Sequence, residues 1–364
     1  ARGEGGAVSL AAETAPPRRR RASRRTIATA ALGALVAALA VATLSLGPAA
    51  IPLGRVLAAL AGAGGPTETA ILVEIRLPRL ALGVAAGLAL ALSGAALQGL
   101  LRNPLADPGL VGVTAGASLG AVSVIVLGAA VASGLPAALR PWLLPGAAFL
   151  GAGAALAFVF ALARRAGETS VATLILGGVA VNAIAGAALG ALAYVSDDDE
   201  LRELTFWTMG GLGAAGRPLA LAALIPALIL TPLLLAQART LDLMALGERA
   251  AFHAGVDVER AKRRIGLAAA LGVGAVTAAA GPIGFVGLVA PHLARLLVGP
   301  DHRAVLPCAA LLGVALVLSA DLAVRLAVPP AEPPIGLAMG LVGGPFFLWI
   351  LLRTLHGGGD ARGL

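Results

Sequence analysis

The chain has 364 residues, of which 59% are apolar and only 13% charged, and it carries a formal net charge of +8. Soluble proteins average about 45–50% apolar and ~25% charged residues, and an excess of this size left in water would aggregate, so a soluble globular protein is excluded. The basic charge reads as the Lys/Arg bias of membrane-protein inside loops rather than as a nucleic-acid surface, and no nucleic-acid partner is expected.

Residues 1–25 hold Arg18–Arg21, Arg24 and Arg25 and are expected to form a disordered basic tail in the cytoplasm. The apolar run Ile27–Leu46 that follows has 20 residues. That exceeds the roughly 7–15 of a signal-peptide core and is enough to cross a bilayer. Runs of similar length predict spans at 27–47, 79–101, 110–130, 143–163, 171–195, 217–237, 263–281, 284–299, 304–327 and 335–354. The expected fold class is therefore all-α, a polytopic membrane protein with about ten transmembrane helices and both termini on one side. One transmembrane domain covers 26–356, with residues 240–261 as its longest polar inside loop and 357–364 as a short tail. The spans 263–281 and 284–299 are short and separated only by the turn around Gly281-Pro282-Ile283-Gly284.

Charge bias orients the bundle. With the N-terminus inside, seven of the 27 basic residues face outward (Arg55, Arg76, Arg79, Arg140, Arg202, Arg217 and Arg325), which leaves 20 inside. Outside charge is mainly acidic, as in Asp197-Asp198-Asp199-Glu200. Small residues four apart predict close helix crossings: Gly112, Gly116 and Gly120; Gly186 and Gly190; Gly336, Gly340 and Gly344. Cys308 stands alone in an apolar run, so no disulfide framework is expected.

Two apparent motifs are discounted. Gly116-Ala117-Ser118-Leu119-Gly120 has the nucleophile-elbow pattern but lies within a predicted span, whereas that motif needs a strand–turn–helix setting. Gly211–Gly216 has the dinucleotide spacing but follows no strand, and reads as an external loop. His253, His292, His302 and His356 are placed toward the cytoplasmic face. No catalytic, cofactor-binding or metal site is expected. A Walker A loop is also absent: the one lysine, Lys262, follows Glu259-Arg260-Ala261 without a glycine-rich loop. If transport is driven by ATP, then ATP and Mg belong to a separate ATPase chain.

From about residue 70 to residue 353 a series of strings resembles the FecCD-type permeases of ABC importers for iron-siderophores, haem and cobalamin. They are Ile75-Arg76-Leu77-Pro78-Arg79, Asn103-Pro104-Leu105-Ala106-Asp107-Pro108-Gly109, Leu246-Gly247-Glu248, Ala280–Leu288 with Pro291-His292, Ala320-Asp321 with Arg325, and Glu332-Pro333-Pro334-Ile335-Gly336. Their order and spacing together carry the likeness. The resemblance implies the type II importer permease fold in a bacterial inner membrane. It also implies a homodimer of permease, two ATPase subunits and a periplasmic substrate-binding protein.

The same resemblance implies three sites. Arg76, Arg79 and Arg325 at the outer face would receive carboxylates of the binding protein, for which the planar guanidinium fork is suited. Asp321, four residues before Arg325, is a possible helical partner for it. Asn103 and Leu105, with Thr169 and Ser170, would narrow the cytoplasmic mouth, and the latter two are also placed as helix N-caps. Leu246, Gly247, Glu248, Arg249, Ala254, Gly255 and Val256 would engage the ATPase through two short helices with a glycine break.

Cargo is less determined. Asp199–Gly211 looks most like haem-type permeases, with cobalamin-type ones sharing part of it. Haem iron is ordinarily held by His, Cys, Met or Tyr, and Tyr194 and Met339 are the candidates expected within spans, so tight ligation of haem is not expected. A ferric siderophore or cobalamin carried by the same machine remains open. An ion-driven secondary transporter would need buried acids at mid-bilayer, and Asp321 is the one acid placed well inside a span. No constellation supports an intramembrane enzyme.

Overall fold

The computed structural model describes residues 18–165, 168–213, 216–329 and 331–356. The outermost parts of the two predicted tails, 1–17 and 357–364, lie outside the described residues, as do positions 214–215 of the Gly211–Gly216 loop. In chain order the helices are α1 Arg18–Ser45, α2 Leu53–Leu60, α3 Pro66–Ala70, α4 Leu77–Leu101, α5 Val113–Leu127, α6 Ala129–Gly134, α7 Arg140–Ala163 and α8 Val171–Val195. There follow α9 Asp198–Thr208, α10 Arg217–Leu235, α11 Ala238–Ala245, α12 Glu248–His253, α13 Val258–Ala280, α14 Val286–Val298, α15 His302–Ala327 and α16 Ile335–His356. Seven helical stretches are long and apolar enough to cross a membrane, and α5, α14 and most of α16 are shorter apolar helices. Together they occupy the ten predicted spans.

Helix α4 is the centre of the bundle. Its most apolar window is 78% buried, against 6% for α1. A buried helix in lipid must be narrow enough for neighbours to approach on every side, and α4 achieves this with Ala and Gly. Gly87 backs onto the main chain of Gly313 and Val314 in α15, and Gly94 backs onto that of Gly287 in α14. The predicted small-residue crossings divide into two groups. Gly116 and Gly120 pack directly on Gly151 and Ala147 of α7 and Gly112 on Val181 of α8, as expected, whereas Gly336 packs on Met209, just past the end of α9. Gly186 and Gly190 of α8 and Gly340 and Gly344 of α16 meet nothing within contact distance among the described residues.

Several expectations are corrected. Helix α1 begins at Arg18, so part of the tail predicted to be disordered is helical; Arg and Ala are good helix formers and simply extend the span. The loop before the second span is also helical. Helix α3 runs through a π-helical turn, Ile71–Arg76, into α4. Pro78 falls in the first turn of α4. Its ring crowds the carbonyl four residues earlier and it lacks an N–H to donate, and a wider turn ahead of it relieves the clash. Helix α9 was not predicted. Its acidic run acts as a start signal: Asp197 accepts from the Glu200 N–H at 2.8 Å, and the Glu200 side chain returns the bond to Asp197. A two-residue hairpin, Arg164–Arg165 with Glu168–Thr169, joins α7 to α8.

The span predicted as short at 263–281 is in fact the 23-residue α13, and the two short spans are those of α5 and α14, which start inside the bundle. Thirteen residues of α14 reach about 20 Å, and its N-terminus lies against Gly94, well along α4. The start of the preceding Gly281–Gly284 turn is covered by the α9–α10 connection, through a Gly211 N–H to Ala280 O bond of 2.7 Å, while Gly284 stays exposed. The 3₁₀ turn Pro108–Val111 before α5 likewise sits against Gly178 of α8. These two irregular segments, one from each half, meet where Gly287 faces the Asp107 carboxylate and Pro108. Irregular backbone at this depth is tolerated only where protein covers it.

Candidate functional site

At the end of the bundle where α4 starts and α15 finishes, Arg76, Arg79 and Arg325 do come together, but all three are buried. The expectation of freely presented guanidinium forks is corrected. Arg79 Nε donates to both oxygens of Asp321, at 2.9 and 3.1 Å, Nη2 lies 2.8 Å from Asp321 Oδ1, and Nη1 pairs with Glu332. Asp321 therefore belongs to Arg79 and not to Arg325, its expected helical neighbour. Arg76 donates to the carbonyls of Leu44 and Ala49, and Arg325 donates to that of Thr43 at 3.1 Å. Those carbonyls lie at and just beyond the C-terminus of α1, where partial negative charge accumulates and cations are favoured. Arg325 Nε has no partner among the described residues. Beside Arg79 opens a cavity of about 420 Å³, lined among others by Glu203, Phe206, Trp207, Asp321 and Glu332.

At the opposite end, α4 terminates on Arg102 in the left-handed conformation (φ 50°). Asn103 Oδ1 then accepts from the Leu105 N–H at 2.9 Å, a turn that leaves Leu105 exposed. Ser170 caps α8 by accepting from Thr173 N–H at 3.3 Å and is exposed. Thr169 is buried, and its hydroxyl donates to Glu259 Oε2 at 2.7 Å. Of the four predicted gate residues, then, Leu105 and Ser170 are exposed, Asn103 is half-buried and Thr169 is turned inward.

The polar loop between the sixth and seventh spans forms two short helices, α11 and α12, as predicted. They are separated at Gly247 (φ 113°), and Gly255 (φ 86°) turns the chain toward α13. Leu246 is 74% exposed and Phe252 66%, beside exposed Arg249, Ala254 and Gly255. Helix α11 is held to the bundle by Asp242, which accepts from the His302 N–H at 3.0 Å and lies 2.6 Å from His302 Nδ1. Asp301, the N-cap of α15, pairs with Arg25 at 2.9 Å. Partial burial works against its carboxylate, but the Arg303 backbone N–H and the Arg25 guanidinium outweigh it and hold its pKa below the ordinary carboxylate range.

Lys262, given no site role by the sequence, is 2% exposed with its ammonium bonded to Thr169, Glu248 and Glu259. The available signal was compositional, since it is the single lysine among 27 basic residues. His292 was placed toward one face but stands midway along α14, edge-on to Phe346 at 5.8 Å. Of the two ligand-type side chains expected within spans, Tyr194 is 90% exposed near the end of α8, whereas Met339 is buried. Among the described residues no group of three His, Cys, Asp or Glu side chains could hold a metal.

The FecCD transport family matches residues 35–353. The chain is 47% identical over 286 residues to the hemin transport system permease HmuU of Yersinia pestis, covering 78% of this chain and 83% of that one. It is 44% identical over 289 residues to the cobalamin import system permease BtuC of Halobacterium salinarum, covering 79% and 75%. Among solved structures, a metal-chelate type ABC transporter in an inward-facing conformation superposes with a TM-score of 0.78 at 30% identity, over 89% of this chain and 98% of that one. A ten-span bundle with an exposed two-helix segment at one end and clustered arginines at the other, matched along most of its length, belongs to the FecCD transport family: the chain is the multi-pass permease subunit of an ABC importer, which works with an ATPase and a binding protein.

Proposed function

We propose that two copies of this permease, with two ATPase subunits, carry haem from a periplasmic binding protein into the cytoplasm. The α10–α13 connection is then the cytoplasmic, ATPase-facing side, and the Arg79 cluster is the outer one. The haem reading is carried by the 47% identity to a hemin permease. The 44% identity to a cobalamin permease supports the alternative that the same machine carries cobalamin, and a ferric siderophore is a third cargo of the same family. No tight haem ligand is needed in the pathway, because strong binding there would trap the cargo. ATP and Mg are bound by the ATPase and no cofactor by this chain. Proteoliposomes holding the permease and its ATPase test the cargo. ATP-dependent uptake of haem, exceeding that of cobalamin and a ferric siderophore, is the expected result; uptake of cobalamin without haem overturns it.

A homodimer is supported by the small-residue faces at Gly186 and Gly190 of α8 and Gly340 and Gly344 of α16, which the described residues leave open. Such faces pack against another helix in lipid. In the two-copy assembly, Asn103, Leu105, Thr169 and Ser170 act as the cytoplasmic gate. Arg76, Arg79 and Arg325 act in docking, with a binding-protein carboxylate taking the place of Glu332, the more exposed of Arg79's two partners.

Residues Leu246–Arg249 and Ala254–Val256 are assigned to the ATPase contact. The apolar side chains Leu246 and Phe252, exposed on a polar connection, are what a protein partner would cover. Leu246→Asp is expected to abolish co-purification of the ATPase while leaving the permease folded, and undiminished co-purification would count against the assignment.

A further inference from the structure

A buried ammonium needs acceptors for each of its N–H groups. Lys262 has one for each: Thr169 O at 2.7 Å, Glu248 Oε2 at 2.8 Å and Glu259 Oε1 at 3.1 Å. The chain uses arginine at its other 26 basic positions. A planar guanidinium spreads its donors in a fork, whereas an ammonium gathers three bonds at one atom. The three partners belong to three separate pieces of structure. Glu248 is the first residue of α12, Glu259 lies in the first turn of α13, and Thr169 ends the hairpin that leads into α8. Glu259 grips Thr169 a second time, through its hydroxyl at 2.7 Å.

Helix α12 is otherwise mounted between Gly247 and Gly255, both with positive φ, and glycine there leaves the backbone free to turn. The Lys262–Glu248 pair is thus a fixed strut from a helix of six residues to the bundle. Thr169 is followed directly by Ser170, the N-cap of the 25-residue helix α8. A displacement of α12 would therefore reach the start of α8 through one atom.

We propose that Lys262 is a positioning residue that ties the ATPase-facing helix α12 to the gate turn Thr169–Ser170, so that the two move as one body during transport. This rests on the assignment of α12 to the ATPase contact and of residues 169–170 to the gate. A residue that merely neutralised buried charge would affect stability, but would not set the distance between α12 and the turn in different nucleotide states.

The test uses the complete importer in proteoliposomes. Spin labels are placed at the exposed positions Ala250 and Glu168, in a chain whose buried Cys308 is replaced by alanine. With Lys262 intact, the distance is expected to be narrow and the same without nucleotide and in the vanadate-trapped state. In Lys262→Met the distribution is expected to at least double in width and to differ between the states. Haemin transported per ATP hydrolysed is expected to fall about ten-fold, within the usual range of coupling between sites. Glu248→Ala removes one arm of the strut and leaves Lys262 two partners, so it reads the same quantity if Lys262→Met does not fold. A narrow, state-independent distance in either folded variant overturns the tether. The Leu246→Asp control separates the two failures. If it releases the ATPase while the variants keep their distances, the tether alone is wrong; if it leaves the ATPase bound, the contact assignment is wrong and the tether falls with it.

Discussion

Gly87→Leu is expected to eliminate folded permease. Leucine has the better helix propensity by about 0.8 kcal/mol, so judged on α4 alone the substitution should stabilise. The packing reverses the sign. A Cβ at residue 87 would run into the main chain of Gly313 and Val314, and neither can move without displacing α15. Overpacking with side-chain neighbours costs about 1–3 kcal/mol, occasionally more; here the obstacle is backbone, so the upper end or beyond is expected. Gly153→Leu in α7 is the control, since nothing lies within contact distance of that position. Monodisperse protein on size-exclusion chromatography after detergent extraction is the measurement. A well-folded Gly87→Leu would mean that α4 and α15 do not cross at this residue.

Asp321→Ala is expected to lower stability by about 3–5 kcal/mol, the usual consequence of removing one partner from a buried ion pair. Arg79 and Asp321 are 5% and 1% exposed and share three contacts of 2.8–3.1 Å. The variant leaves the guanidinium with Glu332 as its remaining carboxylate, and Glu332 is 37% exposed. The double variant Arg79→Met with Asp321→Leu is expected to recover most of the loss, because well-packed apolar groups often match a buried ion pair. Thermal unfolding in detergent reads both. Binding-protein affinity separates stability from docking: if Arg79 receives a carboxylate, the double variant melts near wild type yet docks weakly. Full docking affinity in that variant would remove Arg79 from the interface. This placement of Asp321 also bears on the ion-driven alternative, since the one acid expected deep in a span is engaged by an arginine.

The ten spans were legible because membrane solvent imposes a simple demand. Each crossing needs roughly 20 apolar residues with its own backbone bonds closed, and such runs are local. The same locality explains the two short helices between the sixth and seventh spans, where Gly247 and Gly255 mark the turns. Pieces shorter than a span escaped: α9 is held by a capping box and not by apolar length, and the turn before α4 is shaped by Pro78.

The candidate sites were less legible. Arg76, Arg79 and Arg325 could be placed at one end of the bundle by counting spans, and the structure does gather them there. Their burial could not be anticipated, because the carbonyls of Thr43 and Leu44 and the carboxylates of Asp321 and Glu332 come from other segments. Thr169 was read as an N-cap or a gate hydroxyl, whereas its hydroxyl is taken by Glu259, 90 residues further along.

Sequence alone determined the membrane class and the number of crossings, since hydropathy, glycine spacing and loop charge are properties of short stretches. Only the tertiary structure decided which charge meets which, where α5 and α14 begin within the bundle, and that the single lysine joins three segments. A buried ion must find its partners wherever the fold brings them, and that pairing is written in the crossing of helices rather than in any one of them.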